Sequence, residues 1–267
     1  MDDTKKLLMF INEINDIQDD KLKIFISKAL LSAPEYFFTV PASSSGKYHP
    51  YFAREEGGLV KHTRCVAFYA ACNAESFNFT THEKDLLIIS AILHDIKKQG
   101  NNNYGRHTVW EHPELASDFV MKIQKENPSL ISESDAKKIA NAILSHMGKW
   151  AHDEEYVKKK KQFPLPSTLF EFALQSADYI ASRSELTGFT FRETNDINLP
   201  KILTEIIVKK DVGDFIITFG KHSGKTIKEI YNIDASYLTW ILNENNFNKK
   251  DAKANIKQFY VENNINF

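Results

Sequence analysis

Between Ile88 and Leu93 the chain reads Ile-Ile-Ser-Ala-Ile-Leu, and directly after it stand His94 and Asp95. A helix made from that run has almost no polar face to turn toward water, so it has to be buried on most sides. The imidazole and the carboxylate at its end are buried with it. Desolvating two such groups is costly unless something pairs with both. A bound metal ion is one such partner.

The same device recurs along the chain. His62 is followed by two turns of apolar residues on the preceding helical segment, His112 opens the segment after, and His146 closes the next. Asp178 lies among Phe172, Ala173, Leu174, Ala177, Tyr179 and Ile180. Five successive helical segments thus each present an imidazole or a carboxylate from a largely apolar face. Helical bundles build metal centres in this way, from inward-facing side chains on neighbouring helices. Nitrogen and oxygen donors without a thiolate favour Mn, Mg, Fe, Ni, Co or Zn in an open, water-bearing site over a closed structural zinc. Such a centre acidifies a bound water and polarises a phosphoryl oxygen.

Hydrophobic periodicity supplies the scaffold. Apolar positions between Thr4 and Ala33 predict two amphipathic helices separated near Asp19, and Pro34 ends the second. After a loop from Pro41 to Pro50, Gly57 and Gly58 break the chain before the helix that carries His62. Further helices are expected at about 82–96, 110–126, 134–147 and 167–184. Between Gly188 and Pro200 the composition shifts to Thr, Asn and Asp. Ile206 to Val208 and Phe215 to Phe219, on either side of Val212-Gly213-Asp214, predict two short strands, followed by short helices near 226–231, 235–244 and 250–262. The expected fold is mainly α, a helical bundle over 1–200 with a small α+β module over 201–267.

Charge and composition exclude several classes. Thirty-four Lys and Arg against thirty-five Asp and Glu leave a net charge of -1, so bulk positive charge cannot draw the protein onto nucleic acid, and any such binding must be local. Ten glycines and no G-x-G-x-x-G after a strand argue against a dinucleotide-binding sheet. Cys65 and Cys72 are seven residues apart, roughly 10 Å along a helix, and read as buried thiols in a reducing compartment. Neither a secretion signal nor an apolar run of about 20 residues is seen, so the expectation is a cytoplasmic protein with no membrane association.

The order His62, His94-Asp95, Asp178 resembles the H…HD…D signature of the HD-domain metal-dependent phosphohydrolase superfamily. "GGLVKHT" at 57–63, "ILHDIKK" at 92–98, "HPELA" at 112–116, "SHMGKW" at 145–150 and "SADYIASR" at 176–183 are similar to the subgroup that includes a bacterial 3′-5′ exoribonuclease, over roughly residues 40–185. The resemblance implies an HD-type helical bundle in which His62, His94, Asp95 and Asp178 hold a first divalent ion. His112 and His146 match positions that bind a second ion or the substrate phosphate. Lys98 matches a phosphate-contacting lysine, although the family's preceding glycine is here Lys97. His49 and His107 lie near the motif helices as candidate substrate contacts, and Arg183, one turn beyond Asp178, as a phosphate clamp. Water would attack phosphorus in line with the leaving oxygen, with Asp95 orienting it and His112 or His146 as candidate proton donors.

In Phe219-Gly220-Lys221-His222-Ser223-Gly224-Lys225-Thr226 only three residues separate the glycines, one too few for a phosphate-binding P-loop. "FGKHSGKTIKEI" followed by "SYLTWIL" is similar instead to the exodeoxyribonuclease X-like C-terminal module. Lys221, His222 and Lys225 beside Phe219, Tyr237 and Trp240 suggest a backbone-binding patch with a stacking surface, while Tyr237, Leu238, Trp240 and Ile241 read equally as a small core. His82, His152 and Lys158 to Lys161 read as surface. The expected activity is hydrolysis of a phosphoester in a nucleotide or single-stranded nucleic acid, leaning to a phosphodiesterase or 3′-5′ exonuclease. The alternatives are a dNTP or nucleotide phosphohydrolase and a non-catalytic nucleic-acid or nucleotide-binding protein.

Overall fold

Every residue from Asp85 to Ile96 is buried, and the helix that begins this stretch is the axis of the larger unit. The computed structural model of the chain describes residues 1–43, 46, 49–101, 107–154, 161–188, 203, 212–244, 249–263 and 265. The chain divides into two compact units, Met1–Leu203 and Thr204–Phe267.

In the larger unit, helices α1 (Asp3–Leu8), α2 (Ile11–Asp16) and α3 (Asp20–Leu31) precede α4 (Gly58–Ser76), α5 (Thr81–Leu93), α6 (His112–Glu126), α7 (Glu133–Ser145) and α8 (Leu169–Ala181). α4 packs against α5 and α8, α6 against α7, and α5 against α7 and α8. Local chemistry fixes these limits. α5 opens on a reciprocal capping box between Thr80 and Glu83, and α3, α7 and α8 open on side-chain caps from Asp19, Ser132 and Thr168. α4 starts at a glycine pair because a Cβ on Gly58 would lie 2.3 Å from the Ala53 carbonyl oxygen, so no side chain fits there.

Three differences from the sequence expectations have physical causes. The amino-terminal stretch forms three helices, because Phe10 (φ -120°, ψ 16°) breaks the first and Ile17 turns to extended backbone after the second. The Asp85 carboxylate accepts the backbone N–H groups of Gln18 and Asp19 at 3.0 Å, which ties the start of α3 to the central helix. α5 ends at Leu93 and passes into tight turns through residue 99, with Ile96 N–H on the Leu93 carbonyl and Lys98 N–H on that of Asp95. Cys65 is buried as expected, but Cys72 lies on the exposed side of α4.

Among the described residues, the smaller unit has a 3-10 turn at Val212–Asp214 and two helices, α9 (Ile227–Asn243) and α10 (Lys250–Glu262). α9 breaks at Asp234 (φ -161°, ψ 64°), the position at which the periodicity separates two segments. The strand expected at Phe215 to Phe219 is reduced to an isolated antiparallel bridge, Ile216 with Thr226. Ile217 N–H bonds to Lys225 and Ile227 N–H to Phe215 on either side of it. The other expected strand, Ile206 to Val208, lies outside the described residues. Ile217, Ile227, Ile230, Leu238, Ile241, Ile256, Phe259 and Tyr260 form the core. No helix among the described residues is long and apolar enough to cross a membrane.

The Asp85 tie gives a direct test. Asp85→Ala leaves the Gln18 and Asp19 amides without their acceptor and should lower the unfolding free energy by about 2 kcal/mol in urea titration. A loss below about 0.5 kcal/mol, the range of ordinary surface substitutions, would show that this bond does not hold α3 in place.

Candidate metal centre

Helix ends aim most of the site. His94 caps the C-terminus of α5 and His146 that of α7, His112 opens α6, and His62 and Asp178 lie within α4 and α8. Negative ends of the α5 and α7 dipoles therefore meet at the site, which favours a cation there.

The tautomers follow from local hydrogen bonds. His94 Nδ1 bonds the Ala91 carbonyl at 2.7 Å, His112 Nδ1 the Val109 carbonyl at 2.8 Å, and His146 Nδ1 the Ile143 carbonyl at 2.6 Å. A carbonyl only accepts, so Nδ1 carries the proton in each ring and Nε2 is left for a ligand. His112 Nε2 and His146 Nε2 then approach to 3.3 Å. Burial pushes the His112 imidazole down to about 3, helped by His146 and Lys98, and burial and His94 push His146 down too. Both rings are neutral, so two lone pairs face each other. A metal ion between or beside them, or a water donating to both, relieves that contact.

The carboxylates complete the set. His62 Nε2 is 3.1 Å from Asp178 Oδ1 and 3.9 Å from Asp95 Oδ2. His94 Nε2 is 3.4 Å from Asp95 Oδ2 and 3.6 Å from Asp178 Oδ1. The other oxygen of Asp95, Oδ1, is 3.3 Å from His112 Nε2 and 3.8 Å from His146 Nε2. Burial works against the charged form of both acids, but Lys98 and His94 beside Asp95, and His62 and His94 beside Asp178, hold them well below the usual carboxylate range. Burial likewise opposes the charged form of His94, yet Asp95 and Asp178 raise it to about 10, so a bound cation would take the place of a proton on its Nε2, while burial lowers His62. His62 Nδ1, His94 Nε2 and Asp95 Oδ1 are buried with no hydrogen-bond partner among the described residues. Three overlapping sets of donors converge closely enough to hold a metal ion: His62, His94 and Asp95; His94, His146 and Asp178; Asp95, His112 and His146. The donors therefore fit a divalent ion by type, burial and unfilled valence.

The cluster opens on a cavity of about 210 Å³. His49 and Lys98 line it as the sequence suggests, with Lys98 Nζ bonded to Asp95 Oδ2 and the His49 ring 5.3 Å from that of His62. Burial, with His62 and Lys98 nearby, pushes His49 down to about 3, so it faces the cavity neutral. Lys97, where the family has glycine, needs no special backbone, because Asn78 is the only non-glycine residue with positive φ among those described. Its ammonium lies over the Phe119 ring.

Two expected contacts are placed elsewhere. His107 is exposed and does not line the cavity. The Arg183 guanidinium lies over the rings of Tyr179 and Trp150, 5.0 and 5.7 Å from their centroids, so it backs two cavity walls instead of reaching in. Trp150 and Tyr179, with Met147, Gln175 and Ser182, are lining residues that motif reasoning did not single out as site residues. The usable signal was spacing, since Gln175, Asp178 and Ser182 are at i, i+3 and i+7 on one face of the helical segment. His82 pairs with Asp135 and His152 with the Phe163 carbonyl, as surface residues do. Lys161 pairs with Glu114, and Lys158 to Lys160 lie outside the described residues.

A buried centre of imidazoles and two carboxylates, mounted on helix ends and open on one side, defines the class: a helical-bundle metal-dependent hydrolase. Family comparison agrees. Residues 59–183 match the HD domain, and residues 217–246 match the exodeoxyribonuclease X-like C-terminal domain. The chain thus carries an HD domain, the domain of metal-dependent phosphohydrolases, over residues 59–183 and an exodeoxyribonuclease X-like C-terminal module over 217–246. No curated protein and no solved structure shows significant similarity to it.

Because Asp95 belongs to two of the three donor sets and His112 to one, their substitutions should differ. After manganese loading and dialysis, elemental analysis should find that Asp95→Ala, which leaves one donor set, retains less metal than His112→Ala, which leaves two. Equal retention by the two variants would refute the shared carboxylate.

Proposed function

We propose that the chain is a divalent-metal-dependent phosphodiesterase that removes nucleotides from the 3′ end of single-stranded nucleic acid. The observation that carries this reading is the division of Asp95, whose Oδ2 faces His62 and His94 while Oδ1 faces His112 and His146. With donors on both of its sides, Asp95 would take part in holding divalent ions, which would supply the charge neutralisation that in-line displacement at phosphorus needs. His62, His94, Asp178 and Asp95 Oδ2 would hold one ion, and His112, His146 and Asp95 Oδ1 the other. Bound there, divalent ions lower the pKa of water and neutralise charge on the phosphoryl oxygens.

The remaining steps belong to the chain's own residues. Asp95 orients the attacking water and keeps the two donor groups in register. With His112 and His146 committed as ligands through Nε2, Lys98 is the better-placed proton carrier, beside Asp95 and on the cavity wall. It contacts the phosphate and donates a hydrogen bond to the leaving oxygen. Neutral His49 accepts or donates a hydrogen bond to the scissile nucleotide without adding charge. Trp150 and Tyr179 give a base an aromatic wall, and Gln175 offers an amide to its edge. Aromatic walls beside the metal ligands and the nuclease-type second module favour a polynucleotide over free nucleotides.

Purified chain with manganese should shorten 5′-labelled single-stranded RNA or DNA stepwise from the 3′ end. His94→Ala should reduce the rate on the order of a thousandfold or more, since a catalytic metal supplies several kcal/mol. Release of phosphate or triphosphate from dNTPs with oligonucleotides left intact would replace this reading with a nucleotide phosphohydrolase. No turnover of oligonucleotides, cyclic dinucleotides or dNTPs would leave a binding protein.

A further inference from the structure

The glycine-lysine turn of the smaller unit builds a rigid aromatic step. Tyr237 and Trp240, three residues apart on α9, stack with centroids 5.7 Å apart and planes 24° from parallel. The turn closes over Tyr237: Gly220 has φ +68°, and a Cβ there would come within 1.9 Å of the Tyr237 hydroxyl. Only glycine lets the backbone approach so closely. The His222 ring meets Tyr237 edge-on at 4.9 Å, and the Lys221 ammonium lies 5.3 Å from its centroid.

Asp234, at the break in α9, locks this arrangement. It accepts from His222 Nε2 at 2.8 Å, from Lys221 Nζ at 2.6 Å and from the Ser236 hydroxyl at 2.7 Å, and these three partners hold its carboxyl below the ordinary range. The sequence suggested a free cationic patch of Lys221, His222 and Lys225. In the fold, Asp234 takes up His222 and one valence of Lys221 instead. Lys221 stays 62% exposed with further N–H groups to offer, and Lys225 is exposed in the same turn.

Leu238 and Ile241 supply the core of this helix face, whereas Trp240 remains 49% exposed. A half-exposed indole stacked on a tyrosine that itself carries a lysine, with a second exposed lysine in the same turn, is poorly suited to a protein interface, where lysine is depleted. It suits a ligand with flat apolar faces strung on an anionic backbone.

We propose that Trp240, stacked on Tyr237, is, together with the exposed Lys221 and Lys225 of the turn that closes over that tyrosine, a binding platform for an unpaired base of single-stranded nucleic acid. One base stacks on the indole, and the adjoining phosphates meet the lysines. Hydrogen bonding to base edges is not involved, so the platform takes bases with little sequence preference. The site needs neither the metal nor turnover, and it stands whether or not the phosphodiesterase reading does.

The test uses the full-length chain with EDTA present, so that hydrolysis does not enter, and follows the anisotropy of a labelled oligothymidylate. Trp240→Ala should weaken binding on the order of tenfold or more, and Trp240→Phe should recover most of the loss. Lys221→Gln should lower the slope of log affinity against log salt by about 0.7, the value for one single-strand phosphate contact. Lys137→Gln, at an exposed lysine of the larger unit outside both sites, should bind like wild type, which separates this contact from the loss of a charge anywhere on the surface. Circular dichroism and urea unfolding check that each variant folds; where Trp240→Ala does not, Trp240→Phe and Lys221→Gln carry the test. Absent binding by wild type, unchanged affinity in folded Trp240→Ala, or equal affinity for a duplex of the same length would overturn the proposal. Self-association of wild type that Trp240→Ala abolishes, without oligonucleotide binding, would reassign the platform to a protein contact.

Discussion

Two neutral imidazoles whose Nε2 lone pairs meet at 3.3 Å are the contact that the larger unit has to account for. Water could relieve it only by donating to both nitrogens at once. The protein's own donors are already spent, because each Nδ1 proton is held by a carbonyl three residues upstream. A cation relieves it and also takes up the unfilled valences of His94 Nε2 and Asp95 Oδ1. The buried polar cluster is thus intelligible as a ligand set and costly as anything else.

The bundle produces this arrangement through a simple rule. Where a helix stops, its last carbonyls lack intrahelical partners, and a histidine at the cap can turn back and satisfy one with its ring. His94 and His146 do this at the ends of α5 and α7, which fixes the ring orientation and gives the chain reversal a reason to occur there. His112 does the same with Val109 just before α6. Orientation of the ligands is therefore built from backbone positions, and the burial of α5 sets their depth. A helix buried from Asp85 onward cannot slide without exposing apolar surface, so the side chains that could hold a metal inherit the rigidity of the core.

How much of this was legible in the sequence depends on whether a residue's chemistry clashes with its neighbours. His94 and Asp95 stand out because nothing in an apolar run explains them, and the same logic finds His62, His112, His146 and Asp178. Trp150 and Tyr179 escape it because aromatic residues on apolar helices need no explanation beyond packing. Arg183 was misplaced for a related reason. A guanidinium one turn from a ligand suits a phosphate, but its flat face also suits two aromatic rings, and spacing alone does not separate the two. The amino-terminal breaks at Phe10 and Ile17 are set by packing and by the long-range bond from Asp85, which no local pattern encodes. In the smaller unit, periodicity located the break in α9 but made a full strand of Phe215 to Phe219, where the structure has a single bridge. The Ile217 and Ile227 amides find partners across one short turn, and nothing among the described residues extends the pairing.

The charge balance gives these local features their weight. With a net charge of -1, the chain has no long-range field to gather a polyanion, so affinity has to come from contacts made within a few ångströms. A divalent centre supplies concentrated positive charge at one place, buried where water screens it least. Stacking supplies attraction that needs no charge at all. A chain that relied on both would engage nucleic acid with a modest salt dependence, unlike a protein coated in lysine. It would also discriminate by structure, since duplex ends bury their bases and fit neither a narrow metal cavity nor an exposed indole. Selectivity for unpaired chains would then follow from where the positive charge and the aromatic faces sit, not from how much charge the protein carries.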